Sequence, residues 1–252
     1  MVKFLVISDF GFEIKVNKII EIIEKNNPNC VLFAGDLICD DGNDKADPYS
    51  VFEILKYCEN KGIMCLLVKG NHDERFINRW NELIDMTKEG DFNYVQDISN
   101  KRIILNGISI FGLPYDVTHY KSKMEKLSEN FQQTDIILTH SKSRAFYWFS
   151  KLNTNLIITG HFGNGFINLK DKIILRNDMS PDGFISINYN DTTNIEFSSE
   201  NHLIDEEKLL KTQIDCIGKN KSIEYMKKQR IPLEWLKFSL SCRSKINRAY
   251  AT

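Results

Sequence analysis

No stretch of the 252-residue chain approaches the about 18 consecutive apolar residues that a membrane-spanning helix needs. The first apolar run stops at Ile7, far short of a secretory leader, so a soluble protein with no membrane role is expected. Neither sign of charge prevails either. Thirty-three Lys and Arg face 34 Asp and Glu, a net of −1, which excludes a uniformly basic nucleic-acid binder. The six cysteines, at 30, 39, 58, 65, 216 and 242, form no Cys-x-x-Cys pair and follow no regular spacing. Several lie inside apolar runs, where a reduced, buried thiol is the expected state and a cytoplasmic location follows. Internal repeats are missing as well. What remains is globular composition, 42% hydrophobic and 27% charged, on a length suited to one large domain or a domain with an appendage.

The near-zero charge conceals two opposed parts. From His202 onward there are 11 basic and 6 acidic residues, a local net of +5, which leaves 22 against 28, a net of −6, in residues 1–201. Through the first 160 residues, short apolar runs alternate with amphipathic stretches. Strands are predicted at 2–7, 30–34 and 63–68, with helices near 13–26, 48–61 and 74–86 between and after them. Continuous Val, Ile and Leu runs separated by helices indicate parallel strands buried on both faces. Asn106-Gly107 between two apolar runs marks a hairpin. Beyond it the pattern predicts a helix over 119–131, a strand at 135–139, a short helix over 144–152 and a strand at 155–159. Antiparallel strands follow at 165–176 and 183–189. Residues 190–204 are polar, 205–252 read as two or three helices, and the boundary falls near 200.

The chemistry lies where the apolar runs end. Five of the apolar runs close on Asp9, on Asp36, on Asn71-His72-Asp73, on His140 and on His161. In an open α/β sheet the carboxyl ends of the strands share one edge, and ligands bind there. An Asp or Asn after a strand also N-caps the next helix, but five such residues on five buried runs are hard to obtain from capping alone. Carboxylate, amide and imidazole together suit a divalent transition metal.

Gly35-Asp36, Gly70-Asn71-His72-Asp73, Thr139-His140 and Gly160-His161 resemble, in order and spacing, the motifs of the calcineurin-like metallophosphoesterases. The likeness covers about residues 1–190 and includes Asn177-Asp178-Met179-Ser180, where the family has an Asn-Pro-Gly-Ser-like turn. It implies a four-layer α/β sandwich, two mixed β-sheets flanked by helices, over residues 1–200, followed by a basic helical extension over 201–252. It also implies a two-metal phosphoesterase site. By this resemblance Asp36, Asn71, His140 and His161 would hold one divalent metal, with Mn, Fe and Zn not distinguishable. Asn71 and His72 would bind substrate, and His72 would be the catalytic histidine.

Three positions depart from the family pattern. Asp9-Phe10-Gly11 stands where the family has Asp-x-His, and Gly160-His161-Phe162-Gly163 where it has Gly-His-x-His. Both missing histidines would belong to the other metal, which keeps Asp9 and the shared Asp36. Glu13, Asp40, Asp41 or His119 could complete it. Cys39 also replaces an aspartate that many members carry three residues after the Gly-Asp aspartate. One complete metal site and one doubtful one follow, and with them a phosphoester hydrolase. A phosphodiesterase acting on a nucleotide or nucleic acid is favoured by the basic segment, which also offers a surface to an acidic partner. The alternative is a catalytically inactive member that binds a partner or nucleotide in the same crevice. A third reading is a nuclease subunit resembling the double-strand-break repair exonucleases.

Overall fold

The structure, a computed structural model, describes residues 1–10, 16–38, 47–141, 146–149, 151–161, 165–169, 172–177, 184–191, 194–198 and 204–205. The chain begins with β1 (Val2–Ile7), α1 (Val16–Asn26), β2 (Cys30–Phe33), α2 (Pro48–Lys61) and β3 (Met64–Leu67). It continues through α3 (Asn71–Arg75), α4 (Ile77–Glu89), β4 (Val95–Asp97), β5 (Arg102–Leu105) and β6 (Ile108–Leu113). Next come α5 (Tyr115–His119), α6 (Lys121–Asn130), β7 (Thr134–His140), α7 (Phe146–Phe149) and β8 (Thr154–Gly160). The last strands are β9 (Gly165–Leu169), β10 (Lys172–Arg176), β11 (Ile185–Asp191), β12 (Asn194–Ser198) and β13 (Ile204–Asp205).

These strands form two mixed sheets. One is six-stranded, in the order β12-β11-β1-β2-β3-β4, and the other seven-stranded, in the order β13-β9-β10-β8-β7-β6-β5. β1 to β4 run parallel, as do β6, β7, β8 and β10, so each sheet carries its parallel strand ends to one edge. Side-chain alternation along the strands builds two cores. Leu5, Ile7, Val31, Phe33, Cys65 and Leu67 pack outward against helical residues such as Ile23, Ile54, Leu55, Trp80 and Leu83. Phe4, Val6, Leu32 and Leu66 face the other way and meet Ile110, Ile136, Leu138, Leu156 and Ile158 of the second sheet. A period of two with both faces buried explains the continuous apolar runs. The expected two-sheet α/β sandwich with flanking helices is therefore the observed fold. Among the described residues, no helix is long and apolar enough to cross a membrane.

Local chemistry fixes α2 to the residue. Asp47 accepts from the Ser50 N–H at 2.8 Å, Pro48 occupies the first turn, and Gly62 ends the helix at φ 67°. Two expected helices are each divided. The predicted helix over 74–86 begins at Asn71 and breaks at Phe76, whose ψ of 46° is not helical. The predicted helix over 119–131 splits at Tyr120, which is extended, so that a short α5 precedes α6. β12 lies within the stretch read as polar and pairs with β11 as an edge strand. β13 pairs with β9, past the expected boundary near 200. The helices expected after 205 lie outside the described residues. Cys30, Cys58 and Cys65 are free and buried, and burial pushes the Cys30 and Cys65 thiols well above their ordinary range. Cys39, Cys216 and Cys242 are outside the described residues.

Candidate metal centre

The shared edge brings four of the six predicted site residues, Asp9, Asp36, His140 and His161, into one cluster, with Asn71 and His72 at the start of the helix that follows β3. Asp9 follows β1, Asp36 follows β2, Asn71 opens α3 just after β3, His140 ends β7 and His161 follows β8. Asp9, Asp36, His140 and His161 each turn one ligand atom into a common space, and those atoms all lie within 4.8 Å of one another. His140 Nε2 is 3.1 Å from Asp36 Oδ2 and 3.0 Å from His161 Nδ1. The Asn71 Oδ1 atom is buried and has no hydrogen-bond partner among the described residues. A buried amide oxygen in that condition costs free energy unless a cation or donor meets it. Two carboxylates and two imidazoles thus fit a divalent metal in both donor chemistry and spacing, and the orphaned amide oxygen of Asn71 suits it in donor chemistry.

The main chain orients each ligand. Ala34 presents its carbonyl to His140 Nδ1 at 2.8 Å. A carbonyl only accepts, so Nδ1 carries the proton and Nε2 is the atom directed at the centre. Asp36 Oδ1 accepts from the His72 N–H at 2.8 Å, and Asp9 Oδ2 from the His161 N–H at 3.0 Å. Asp9, Asp36 and His161 all sit at positive φ, at 55°, 53° and 101°. Such left-handed backbone costs about 1–3 kcal/mol per residue and persists where the surroundings over-determine it. Close packing completes the loops. A methyl at Gly35, itself at φ 85°, would lie 2.7 Å from His140 Nδ1, and one at Gly70 would collide with the Asp36 carboxylate.

Asp73 is the residue the sequence reading passed over. Its fully buried carboxylate accepts from the N–H groups of Asp36, Leu37, Ile38 and Gly70 at 2.8–3.0 Å, tying the β2 loop to the start of α3. Its place three residues after Gly70, as the acidic third position of a helix, was the available signal. Cys39, which stands in place of a family aspartate, and Asp40, offered as a ligand to the second metal, lie outside the described residues.

Burial and charge crowding set the electrostatics. Burial pushes the Asp9 carboxyl up to about 7, with Asp36 adding to the rise and His140 opposing it. At Asp36 burial also raises the value, but the His140 charge and the His140 and His72 hydrogen bonds outweigh it and hold the carboxyl below its ordinary range. Burial works to lower His140, yet Asp36 and Asp9 carry it up to about 9. Burial and the Asp36 charge push Asp73 up to about 7 against the pull of its N–H donors. Without a metal, the centre favours a proton on His140 between the two aspartates. One positive charge is thus called for by the carboxylates, which is the electrostatic counterpart of a cation site.

His72 is placed one residue beyond Asn71 and tied by its backbone to Asp36, with its side chain half-buried. Asn177 is buried and bridges the ends of β1 and β8 through Ser8 and the Thr159 carbonyl; the rest of its turn is outside the described residues. Phe10 packs into the helix-side core against Phe33 rather than across the crevice. Glu13, Asp41, Phe12, Phe162 and positions 11 and 163 fall outside the described residues. His119 is not among the four clustered ligands. Its Nδ1 lies 2.9 Å from the Tyr115 hydroxyl. Tyr115, also missed, stands with its ring centroid 6.0 Å from that of His161 and 6.2 Å from that of His140. Its position just after an apolar run, at Leu113-Pro114-Tyr115, repeats the strand-end signal that located the ligands.

Solved structures share this fold at low identity. The TT1561 protein of Thermus thermophilus superposes with a TM-score of 0.58 at 11% identity, over 79% of this chain and 98% of that one. A novel archaeal phosphodiesterase matches with a TM-score of 0.43 at 16% identity, over 78% of this chain and 99% of that one. No curated protein matches the sequence significantly. The family model described as calcineurin-like phosphoesterase matches residues 2–164. That span holds every clustered ligand and most of the chain, and on it the chain belongs to the calcineurin-like phosphoesterase family.

Proposed function

We propose that the protein is a metal-dependent phosphodiesterase acting on a nucleotide or nucleic acid. The observation that carries this reading is the convergence of Asp9, Asp36, His140 and His161 within 4.8 Å, and the orphaned Asn71 oxygen agrees with it. Asp36, Asn71, His140 and His161 would hold one ion, and Asp9 with Asp36 the remnant of a second site. Mn, Fe and Zn suit this donor set about equally. A divalent cation bound there supplies Lewis acidity to a phosphoryl oxygen and lowers the pKa of water to near neutrality.

The protein's own groups supply the rest. Asn71 and His72, at the start of α3, face the substrate phosphate. The attacking water releases a proton to solvent as its oxygen bonds to phosphorus, the bond from phosphorus to the leaving oxygen breaks, and His72 would deliver a proton to that oxygen. The fixed tautomer of His140 and the Asp73-clamped loop keep the ligands placed through the step. Residues 1–200 form the catalytic domain in this reading. Residues 201–252 form a basic extension that attracts the polyanionic substrate or an acidic partner, and the free, buried cysteines suit a cytoplasmic location.

Hydrolysis of bis-p-nitrophenyl phosphate with Mn²⁺ tests this, beside His72→Ala and Asn71→Ala. Removal of a general acid is expected to lower kcat by about 10²-fold or more. Asn71→Ala should weaken Mn²⁺ binding as well. Equal background in all three proteins would favour the inactive, ligand-binding reading, which the absence of histidine at 11 and 163 motivates.

A further inference from the structure

A row of aromatic rings leads outward from the metal centre. It starts at His161, passes to Tyr115 at 6.0 Å between centroids, to His119 at 5.1 Å, and to Tyr120 at 4.9 Å. Its inner members are buried or half-buried, whereas Tyr120 is 53% exposed. The Lys123 ammonium stands 5.2 Å from the Tyr120 ring centroid and is held there by Asp116 at 2.7 Å.

The row is firmly mounted. The Tyr115 N–H donates to the Lys69 carbonyl, and the Asp116 N–H to Glu74 Oε1, which fastens α5 to the segment carrying Asn71 and His72. Thr118 Oγ1 donates to the His140 carbonyl, which fastens it to a ligand strand. The 2.9 Å contact from Tyr115 to His119 locks the next ring. Tyr120 is extended, at φ −105° and ψ 122°, and this break between α5 and α6 displays its ring rather than burying it in one long helix. An exposed aromatic beside a cation, at the outer end of a row of rings that starts at the metal centre, has the chemistry of a base-stacking platform: the ring can take the π-face of a base and the ammonium adds positive charge beside it.

We propose that Tyr120, positioned by Tyr115 and His119, is a specificity residue that stacks the nucleobase of a nucleoside phosphodiester whose phosphate lies at the metal centre. The proposal rests on the phosphodiesterase reading above and names the substrate group that the enzyme distinguishes.

The test compares thymidine 5′-p-nitrophenyl phosphate with ethyl p-nitrophenyl phosphate, which share a leaving group and differ in the base, using the Mn²⁺-loaded full chain. The kcat/KM ratio of the two should fall by about fivefold or more in Tyr120→Ala, chiefly through KM, and be kept in Tyr120→Phe. A tetrathymidylate measured in parallel separates a strand from a single nucleotide. Dependence on position 120 in either nucleic substrate supports the proposal, and dependence in neither overturns it. An active enzyme that handles both nucleic substrates without regard to Tyr120 overturns this proposal alone. Wild-type protein that binds Mn²⁺ but cleaves neither ester overturns the hydrolase reading and this one with it.

Discussion

The two sheets bring different chemistry to their common edge. The six-stranded sheet delivers oxygen donors, Asp9, Asp36 and Asn71, whereas the seven-stranded sheet delivers the imidazoles of His140 and His161. Their supports differ too. The oxygen side is held largely by N–H groups and by Asp73, and the nitrogen side leans on the opposite sheet, with His140 on the Ala34 carbonyl and the His161 N–H on Asp9. Neither half is therefore preformed by itself. The centre exists only when the sheets are packed, so the inter-sheet core of Phe4, Leu32, Ile136 and Ile158 is part of the machinery.

Removing the residue where the two halves meet should break this comparison most severely. Asp36→Ala deletes the carboxylate that faces His140 at 3.1 Å. Loss of metal charge stabilisation of about 4 kcal/mol, roughly 10³-fold, is expected in kcat/KM. Calorimetric titration with Mn²⁺ checks the cause, and tight Mn²⁺ binding in this variant would contradict it. The oxygen side alone is probed by Asp73→Asn, which leaves every ligand in place but weakens the clamp on the β2 loop. A loss of about 10- to 100-fold in metal affinity or activity is expected. An unchanged affinity would mean that the N–H donors around Asp73 do not position Asp36.

The last effect, on stability rather than activity, sharpens the nitrogen side. In metal-free protein, His140 titrates near 9 when folded, against an ordinary value of 6.5. The folded state binds this proton more tightly, so its stabilisation is complete below about pH 6.5 and disappears as pH rises through about 9. Asp9, raised to about 7, adds a loss of the same sign that is nearly finished by pH 7. Asp36 is shifted down, so its contribution fades only in acid. The metal-free Tm should therefore fall between pH 6.5 and 9 by roughly 10 °C, each pKa unit being worth about 1.4 kcal/mol and each kcal/mol about 2–4 °C. Mn²⁺ takes the place of the proton, so the gap between loaded and metal-free Tm should widen over the same range. Parallel melting curves with a constant gap would refute this exchange.

The sequence disclosed most about places where one local signal decides the structure. The helix predicted over 48–61 is α2 to the residue, and the polar residues at the strand ends include all four members of the cluster. It disclosed least where tertiary contacts decide. β4 has three residues and α5 has five, too few for any periodicity to register, and both exist because packed neighbours hold them. Asn71-His72-Asp73 carried two messages in three residues, a ligand loop and the first turn of a helix, and only the first was read. Tyr115 was passed over because an aromatic after an apolar run looks like more core. Its contact with His119 depends on a five-residue helix that no pattern announces.

The Ala34 carbonyl has a practical consequence for anyone charting tolerance at this site. The group that chooses which imidazole nitrogen of His140 is presented belongs to the peptide backbone, so no exchange of the twenty side chains at position 34 deletes it. Codon-by-codon scanning would colour the ligands and Asp73 as sensitive and would score this contact only through the space allowed to a side chain. Detecting it takes an edit to the main chain itself, such as a semisynthetic thioamide at Ala34, whose poorer acceptor should loosen His140 while every side chain stays as encoded.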